Sequence, residues 1–485
     1  MDKQFKRNFL KGSAAASIGT VSTMAFHFIS TIMLTRYVAK DDFGIYIIML
    51  AVINLFELFG GLGLELTIVK FIAGAKGEER KQYLIPVLII RVALLLVVGV
   101  IFYLAGSLIV KYFDPKIINY ILPITFLFIL ASFRDLFYNL LQGLNYFKKF
   151  AYVRVTSAVF RVCLIYLYYR LNKLSLSSLV TIEIFATAMP ILLQSFAIPF
   201  RSLIKWHSEK EIYKKIIKFS FPLYLNDILN FLLGRANIFV IGLYLNPASV
   251  ANYDVATKVP VALKGVFQSF IIVYFPNLAK LFSQENKSSA MRLINRSLVI
   301  TSAAVTFMVL IAFLFSNEIV TLLFSQKYLA IALAFALLML NFLLRIISDL
   351  MGYTIVSYGK SVVPAKVNTL SSILSIGGAF LLIPMYGFMG AVYSVIFMNF
   401  ISLILFYRAL VNEKIGPDFF QVVKPILIMG VIIGIYFLIG NEWLVVKILF
   451  VIINLIVSWY LVDVYKGIFN FIGRNIHKIK LLKST

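Results

Sequence analysis

Long apolar segments separated by short polar ones follow one another along the chain of 485 residues. A helix that crosses a bilayer needs about twenty mostly apolar residues. Segments of that length predict an all-α integral membrane protein of about fourteen transmembrane helices. The predicted spans are 12–35, 44–69, 84–110, 118–141, 151–171, 177–200, 219–243, 251–276, 294–315, 330–357, 365–383, 388–408, 425–440 and 444–465.

Lysine and arginine residues are concentrated in every second loop of this arrangement. With the N-terminus in the cytoplasm, the cytoplasmic segments hold 31 of them and the opposite loops hold 8. Short cytoplasmic loops of membrane proteins carry such an excess of positive charge. We therefore predict a multi-pass protein of the cytoplasmic (inner) membrane whose N- and C-termini are both cytoplasmic.

An internal repeat at an offset of 207 residues relates the first helix to the seventh. The identities that support it are Lys11 and Lys218, Ser13 and Ser220, Tyr37 and Tyr244, and Tyr46 and Tyr253. Because six is an even number of helices, both copies keep the same orientation, which defines a parallel repeat. We predict an N-terminal lobe over 1–210, a C-terminal lobe over 211–415, and an extra helix pair with a basic cytoplasmic tail over 416–485. The two six-helix lobes are expected to enclose a central cavity.

The composition narrows the kind of activity that such a chain can have. Charged residues make up 14% of it, against about a quarter in soluble domains. Its net charge of +25 would suggest a nucleic-acid partner only if a basic domain reached water, and the polar segments are too short to form one. They are also too short for a soluble catalytic domain. We therefore expect no nucleic-acid partner, no enzymatic activity, and a function located among the helices.

Cysteine and histidine are too rare to build a disulfide or a histidine-rich metal site. Cys163 is the single cysteine, and His27, His207 and His477 are far apart in the sequence. Such sites need several of these residues at short, regular spacings. We expect no metal and no cofactor.

Charged residues inside the predicted spans are the main functional signal. Such a group costs about 2.5–3.5 kcal/mol at mid-bilayer on insertion scales, so by default it faces a cavity or a partner. Arg161, Lys264 and Arg345 lie near mid-span, and arginine suits bidentate contact with phosphate. The candidate binding residues for an anionic head group are Arg161, Arg345, Lys264, Arg91, Arg134, Arg235, Asn226, Asn230 and Asn341.

A second interpretation stays open for some of these arginines. Arg91, Arg134 and Arg235 lie roughly seven or eight residues from a span end, where a long side chain can also snorkel to the interface. Arg345 and Asp349 are four residues apart, so they can form an ion pair within one helix.

Carboxylates inside the spans are candidates for ion coupling. Asp227, Glu57 and Asp349 could each bind a proton or a sodium ion that couples transport to an ion gradient. Each could equally be the ion-pair partner of a nearby basic residue, because intramembrane charges commonly pair with one another.

Helical spacing places further polar residues on shared faces. One face of span two presents Asn54, Glu57, Gly61 and Glu65. Arg154 and Arg161, seven residues apart, share a face of span five. Lys447 lies close to Trp443 near a span end and is predicted to be an interfacial anchor.

Four stretches of the sequence resemble bacterial Wzx-type polysaccharide flippases. The first contains a Phe-Gly-x-Tyr step into the second helix, formed by Phe43, Gly44 and Tyr46. The others are LLQGLNYFKKFAYVRV, FPLYLNDILNFLLGRANIFVIGLYLNPASVANYDVATKV and LIPMYGFMGAVYSV. The similarity covers essentially the whole chain and identifies it as a member of the multidrug/oligosaccharidyl-lipid/polysaccharide exporter superfamily.

This resemblance implies two six-helix lobes, two extra C-terminal helices and a cationic central cavity. It implies a flippase that moves an undecaprenyl-pyrophosphate-linked oligosaccharide across the cytoplasmic membrane by alternating access, for the biosynthesis of a cell-surface polysaccharide such as O-antigen. The implied partners are membrane lipid, the polyprenyl-pyrophosphate-linked glycan, and polysaccharide polymerase and chain-length machinery. The family has no fixed motif positions for its site, so the candidate residues rest on the spans alone.

Other functions remain open at this point. A cation-coupled multidrug and toxic-compound extruder belongs to the same superfamily, but it typically has twelve helices and key carboxylates in its first lobe. A peptidoglycan-precursor lipid flippase would share the fourteen helices and the basic cavity. A membrane-embedded glycosyltransferase or polymerase would usually carry large outward loops, whereas the outward loops predicted here are short.

Overall fold

The structure is a computed structural model and describes residues 3–75, 77–203, 209–360, 362–439 and 443–461. Every regular element in these ranges is a helix, which confirms the predicted all-α fold class. The α-helices α1 to α17 are, in order, Lys3–Tyr37, Lys40–Gly61, Leu64–Gly74, Lys81–Val110, Ile121–Gly143, Phe147–Arg170, Leu176–Ala197, Phe200–Leu203, Lys210–Tyr244, Pro247–Ser283, Lys287–Leu314, Ser316–Phe324, Ala332–Ser357, Val362–Tyr386, Phe388–Asn412, Phe419–Ile439 and Leu444–Leu461. Short 3-10 helices lie between some of them at Gly77–Arg80, Pro115–Tyr120 and Gln326–Ile331.

Within the described residues, eleven helical segments are long and apolar enough to cross a membrane. The number is twelve when α10, which bends by 43° between Gln268 and Val273, is counted as one span. The bend lies just before Pro276, whose nitrogen cannot donate to the carbonyl four residues earlier. Fourteen spans are predicted, and the two that are not among these twelve correspond to α9 and α17. The structure therefore confirms a multi-pass membrane fold, and the orientation of its termini stays a prediction.

The chain divides into two compact units. The first comprises Met1–Lys258 with Ala379–Ala391, and the second comprises Val259–Gly378 with Val392–Thr485. In the first unit α1 packs along α6, and α5 contacts both α3 and α7. In the second unit α11 packs against α13 and α16. The predicted division into lobes at residues 210 and 415 stays a prediction.

Helix boundaries follow the offset of 207 residues found in the sequence. Helices α1 and α9 each contain 35 residues, Lys3–Tyr37 and Lys210–Tyr244, and both of their ends are related by that offset. The next helices, α2 and α10, begin at Lys40 and Pro247, which the same offset relates. Matching lengths and matching connections support the predicted duplication.

The predicted second span, 44–69, is wrong in one respect, because the helix is broken there. Leu62 and Gly63 separate α2 from α3 and have left-handed φ angles of 48° and 68°. A neighbouring helix, α9, passes so close that a Cβ on Gly63 would lie 2.5 Å from the carbonyl oxygen of Ser220. Glycine alone tolerates both this backbone conformation and this approach. The hydropathy of the segment is continuous, so it carries no sign of the break.

Gly63→Ala should therefore lower the free energy of unfolding. The left-handed conformation alone costs a residue with a Cβ about 1–2 kcal/mol, and contact with α9 adds to this. Gly430→Ala in α16 is the matched control, because nothing lies within 4 Å of a Cβ built there. That control should be neutral or stabilising by up to about 1 kcal/mol. SDS titration of both variants in mixed micelles measures the difference, and equal effects would contradict the explanation of the break.

Lys447 is not the interfacial anchor that the sequence predicts. It is only 3% exposed, and its Nζ donates to Oε1 of Glu318 in α12 at 2.5 Å. A lysine ammonium removed from solvent is stabilised when a carboxylate partner lies this close. The residue therefore connects α17 to α12 inside the second unit.

Candidate substrate cavity

A polar cavity of about 610 Å³ lies inside the first unit. Helices α1, α2, α3, α5, α6, α7 and α9 all contribute to its wall. Its charged lining residues are Arg134, Arg154, Arg161, Arg235, Glu65, Asp135 and Glu183. We call this space the arginine cavity, because arginines outnumber carboxylates on its wall.

Arg161 is held in a network that connects four helices. Its Nε and Nη2 donate to Oε1 of Glu183 at 2.9 and 2.6 Å. Its Nη2 also donates to the hydroxyl of Tyr46 at 2.6 Å, and that hydroxyl donates to the same Glu183 oxygen at 2.6 Å. The imidazole Nδ1 of His27 lies 3.3 Å from Nη1. Arg161 thus lines the cavity with its charge largely compensated by Glu183, and its role in binding an anion stays a prediction.

Tyr46→Phe tests this network, because it removes the hydroxyl that contacts both charged groups. A hydrogen bond to a charged group contributes about 1.5–3 kcal/mol, so the free energy of unfolding should fall by about that amount. Tyr152→Phe on α6 is the control, since Tyr152 is 65% exposed and should change the free energy by less than about 0.5 kcal/mol. Two equal values from SDS titration would show that the network does not stabilise the fold.

Arg134 is also paired. Its Nε and Nη2 donate to the two carboxylate oxygens of the adjacent Asp135 at 2.7 and 3.0 Å. Its Nη2 lies 3.9 Å from Oε1 of Glu57. The side chain points into the protein rather than towards an interface, and two carboxylates share its charge.

Arg154 has a different environment. Its guanidinium lies 5.3 Å from the ring centroid of Phe150 and 6.0 Å from that of Tyr138. Within the described residues, no carboxylate lies within 4 Å of it. Aromatic faces attract a cation without cancelling its net charge. Arg154 is therefore positioned by its neighbours while its full positive charge stays available to the cavity.

Arg235 of α9 lines the arginine cavity and also a second cavity of about 360 Å³. This second cavity, which we call the acidic pocket, is lined by the carboxylates Glu57, Glu65, Asp135 and Asp227. No carboxylate among the described residues lies within 4 Å of the Arg235 guanidinium. Two candidates for ion coupling, Asp227 and Glu57, thus share one pocket. The acidic pocket is lined by all four residues of the face predicted for span two, which are Asn54, Glu57, Gly61 and Glu65. That face therefore stays directed towards one pocket despite the helix break.

Arg91 lies outside the walls of both cavities. Its side chain is fully buried and ion-paired with Glu65, and its Nη1 donates to the carbonyl oxygen of Gly60 at 2.9 Å. That carbonyl belongs to the last turn of α2, whose oxygens have no partner within the helix. Arg91 therefore connects the two halves of the broken helix, and its buried side chain does not snorkel to an interface; its role as a binding residue stays a prediction.

Three more candidates lie in the second unit, and two of them, Arg345 and Lys264, cluster around Asp349. Arg345 Nε donates to Oδ1 of Asp349 at 2.9 Å, so the ion pair within one helix is present. Lys264 Nζ lies 3.8 Å from the other oxygen of Asp349. Asn341 accepts a hydrogen bond of 2.8 Å from Asn399. Two cations around one carboxylate leave this cluster with a net positive charge.

The side chains of Asn226 and Asn230 lie outside the described residues. Conversely, the sequence candidates omit several polar side chains of the cavity wall, among them Arg154, His27, Glu183, Asn139 and Gln142. The seven-residue spacing between Arg154 and Arg161 is the sequence signal for the first of these. Glu183 and His27 meet Arg161 only through the packing of α7 and α1 against α6, which the spacing within one helix does not reveal.

An all-helical multi-pass fold with a charged cavity among its helices is typical of membrane transport proteins. A comparison with known families narrows the class: the chain belongs to the family described as polysaccharide biosynthesis protein, whose model matches residues 33–333. A relative in Methanocaldococcus jannaschii, described as an uncharacterized membrane protein, is 23% identical over 465 residues, which is 90% of this chain and 89% of the relative.

Solved structures share the fold. A lipid II flippase MurJ in an inward closed conformation has a TM-score of 0.74 at 16% identity, over 93% of this chain and 99% of its own. An inward-facing multidrug resistance MATE family transporter of the MOP superfamily has a TM-score of 0.64 at 13% identity, over 82% and 98%. With the family match, these likenesses confirm the predicted superfamily, and a Wzx-type member is consistent with them.

Proposed function

We propose that this protein is a flippase that moves an undecaprenyl-pyrophosphate-linked oligosaccharide across the cytoplasmic membrane, by alternating access, for cell-surface polysaccharide biosynthesis. The observation that supports this most directly is the pair Arg154 and Arg235 on the wall of the arginine cavity, neither of which has a carboxylate within 4 Å among the described residues. Guanidinium groups that no carboxylate contacts directly suit an anionic ligand, and arginine suits phosphate oxygens in particular.

The family of the chain and its shared fold also support the proposed flippase function. The chain belongs to a polysaccharide biosynthesis family, and it shares its fold with a lipid II flippase. A lipid II flippase acts on a lipid-linked cargo, so the fold is compatible with one. In this proposal the lipid tail stays in the bilayer while the arginine cavity takes the pyrophosphate.

The acidic pocket supports a second candidate function, a cation-coupled extruder. Among the described residues, no basic residue lies within 4 Å of Asp227, and Glu57 has Arg134 at 3.9 Å; the MATE transporter shares the fold. The proposed flippase would use the same two carboxylates to bind a coupling proton or sodium ion. Asp349 is less suited to this role because two cations surround it.

Binding by the purified full-length protein in nanodiscs separates the two functions. The probes are undecaprenyl pyrophosphate, undecaprenol and tetraphenylphosphonium. If the cavity takes a pyrophosphate, undecaprenyl pyrophosphate should bind at least about tenfold more tightly than undecaprenol, since one hydrogen bond to a charged group contributes about 1.5–3 kcal/mol. Equal binding of the two lipids would overturn the proposal. Tight binding of tetraphenylphosphonium alone would favour the extruder.

A further inference from the structure

The arginine cavity contains an uncharged polar side that a pyrophosphate does not need. On α5 the cavity is lined by Arg134 and Asp135, and further along the helix by Tyr138, Asn139 and Gln142. Their spacing places them on one face of the helix. Asp135 and Gln142 are seven residues apart, or about 10 Å along the axis at 1.5 Å per residue. The charged end at Asp135 and the uncharged end at Gln142 are therefore distinct places on one wall.

Gln142 and Asn139 have hydrogen-bonding capacity to spare. Within the described residues, the side-chain amide of Gln142 has no hydrogen-bond partner. Asn139 uses one N–H group, which donates to the carbonyl oxygen of Asp135 at 2.8 Å. A carboxamide offers two donors and one acceptor oxygen. Both residues can thus donate and accept across the cavity, which matches hydroxyl groups better than phosphate oxygens, since phosphate only accepts.

Aromatic rings stand beside these amides. Tyr138 and Phe150 form an edge-to-face pair with centroids 5.7 Å apart, and both line the cavity. The guanidinium of Arg154 lies against both rings. An apolar ring surface next to a few polar groups is the usual lining of a small-molecule site. Here it would meet the C–H face of a sugar, with the uncompensated cation of Arg154 adjacent.

The size of the cavity also fits a ligand that is larger than a pyrophosphate. Sites for drug-sized ligands occupy roughly 300–1,000 Å³, and the arginine cavity measures about 610 Å³. That volume suits a diphosphate together with a sugar. It is larger than a diphosphate alone requires.

We infer that Asn139 and Gln142 form a subsite for the first sugar of the glycan, the one attached to the pyrophosphate, and that Phe150 and Tyr138 form its apolar wall. This inference rests on the proposed function, because it takes the neighbouring ligand of Arg154 to be a pyrophosphate. The subsite recognises a neutral pyranose through its hydroxyl or acetamido groups.

Gln142→Leu tests the subsite, since it removes the amide and keeps a similar volume. Binding to the full-length protein in nanodiscs is measured for undecaprenyl pyrophosphate and for its conjugates with one hexose or one N-acetylhexosamine. In the wild type at least one conjugate should bind tenfold or more tightly than the bare lipid. Gln142→Leu should abolish that increment and change binding of the bare lipid less than twofold. Gln421→Leu, at an exposed position of α16, is the control and should retain the increment.

The outcomes distinguish this inference from the proposed function. Failure of the wild type to bind bare undecaprenyl pyrophosphate overturns the proposed function and the subsite with it. If the bare lipid binds but neither sugar adds affinity, the subsite alone is overturned. The same holds if Gln142→Leu weakens bare and glycosylated lipids equally. An unchanged thermal unfolding temperature of Gln142→Leu is expected, because its amide has no partner in the described protein.

Discussion

Arg154→Gln should lower the rate at which the reconstituted protein translocates undecaprenyl-pyrophosphate-linked oligosaccharide by about ten- to a hundredfold, because a hydrogen bond to a charged group contributes about 1.5–3 kcal/mol and 1.4 kcal/mol corresponds to a factor of ten. The amount of folded protein should not change, since Arg154 has no carboxylate within 4 Å among the described residues. A fluorescently labelled cargo whose outer-leaflet fraction is quenched measures the rate in proteoliposomes.

Arg170→Gln is the matched control for this result. Arg170 ends the same helix, α6, and is exposed outside the cavity wall, so its replacement should leave the rate within about twofold. Equal rates for wild type and Arg154→Gln would show that Arg154 does not contact the cargo. Arg161→Ala and Arg345→Ala are expected to abolish export. They are less specific tests, however, because each leaves a carboxylate, Glu183 or Asp349, without its arginine.

Glu65→Ala should destabilise the protein by about 3–5 kcal/mol, the usual cost of removing one partner of a buried ion pair. The side chain of Arg91 is 0% exposed and that of Glu65 is 27% exposed, so the buried guanidinium would lose its carboxylate partner and the loss should fall at the lower end of that range.

Glu413→Ala is the comparison for this stability measurement. Glu413 lies 3.1 Å from Lys360 in a pair whose side chains are 30% and 52% exposed, and a pair in that setting contributes about 0–1 kcal/mol. SDS titration in mixed micelles gives the free energy of unfolding of both variants. A loss of less than about 1 kcal/mol in Glu65→Ala would contradict the structural role of Arg91.

Features that depend on one helix could be predicted from the sequence. Hydropathy gave the helical membrane fold, and the spacing of four residues gave the pairing of Arg345 with Asp349. The spacing of seven gave the shared face of Arg154 and Arg161. The offset of 207 residues also relates the observed ends of α1 and α9. These features follow from helix geometry alone, which is why periodicity reveals them.

Features that depend on contact between helices could not be predicted in this way. Tyr46 and Glu183 are 137 residues apart in the chain, and a single sequence gives no sign that they meet at Arg161. The break at Gly63 exists because α9 passes close by. Lys447 is buried because α12 brings Glu318 to it. In each case the partner that decides the role of the residue lies on a distant segment.

The central claim is that the cargo is a lipid-linked glycan, and translocation in proteoliposomes tests it most directly. The wild-type protein, with a proton or sodium gradient imposed, should move a fluorescent undecaprenyl-pyrophosphate-linked oligosaccharide between leaflets faster than empty liposomes do, and should not export ethidium. Export of ethidium without any translocation of the glycolipid would contradict the account.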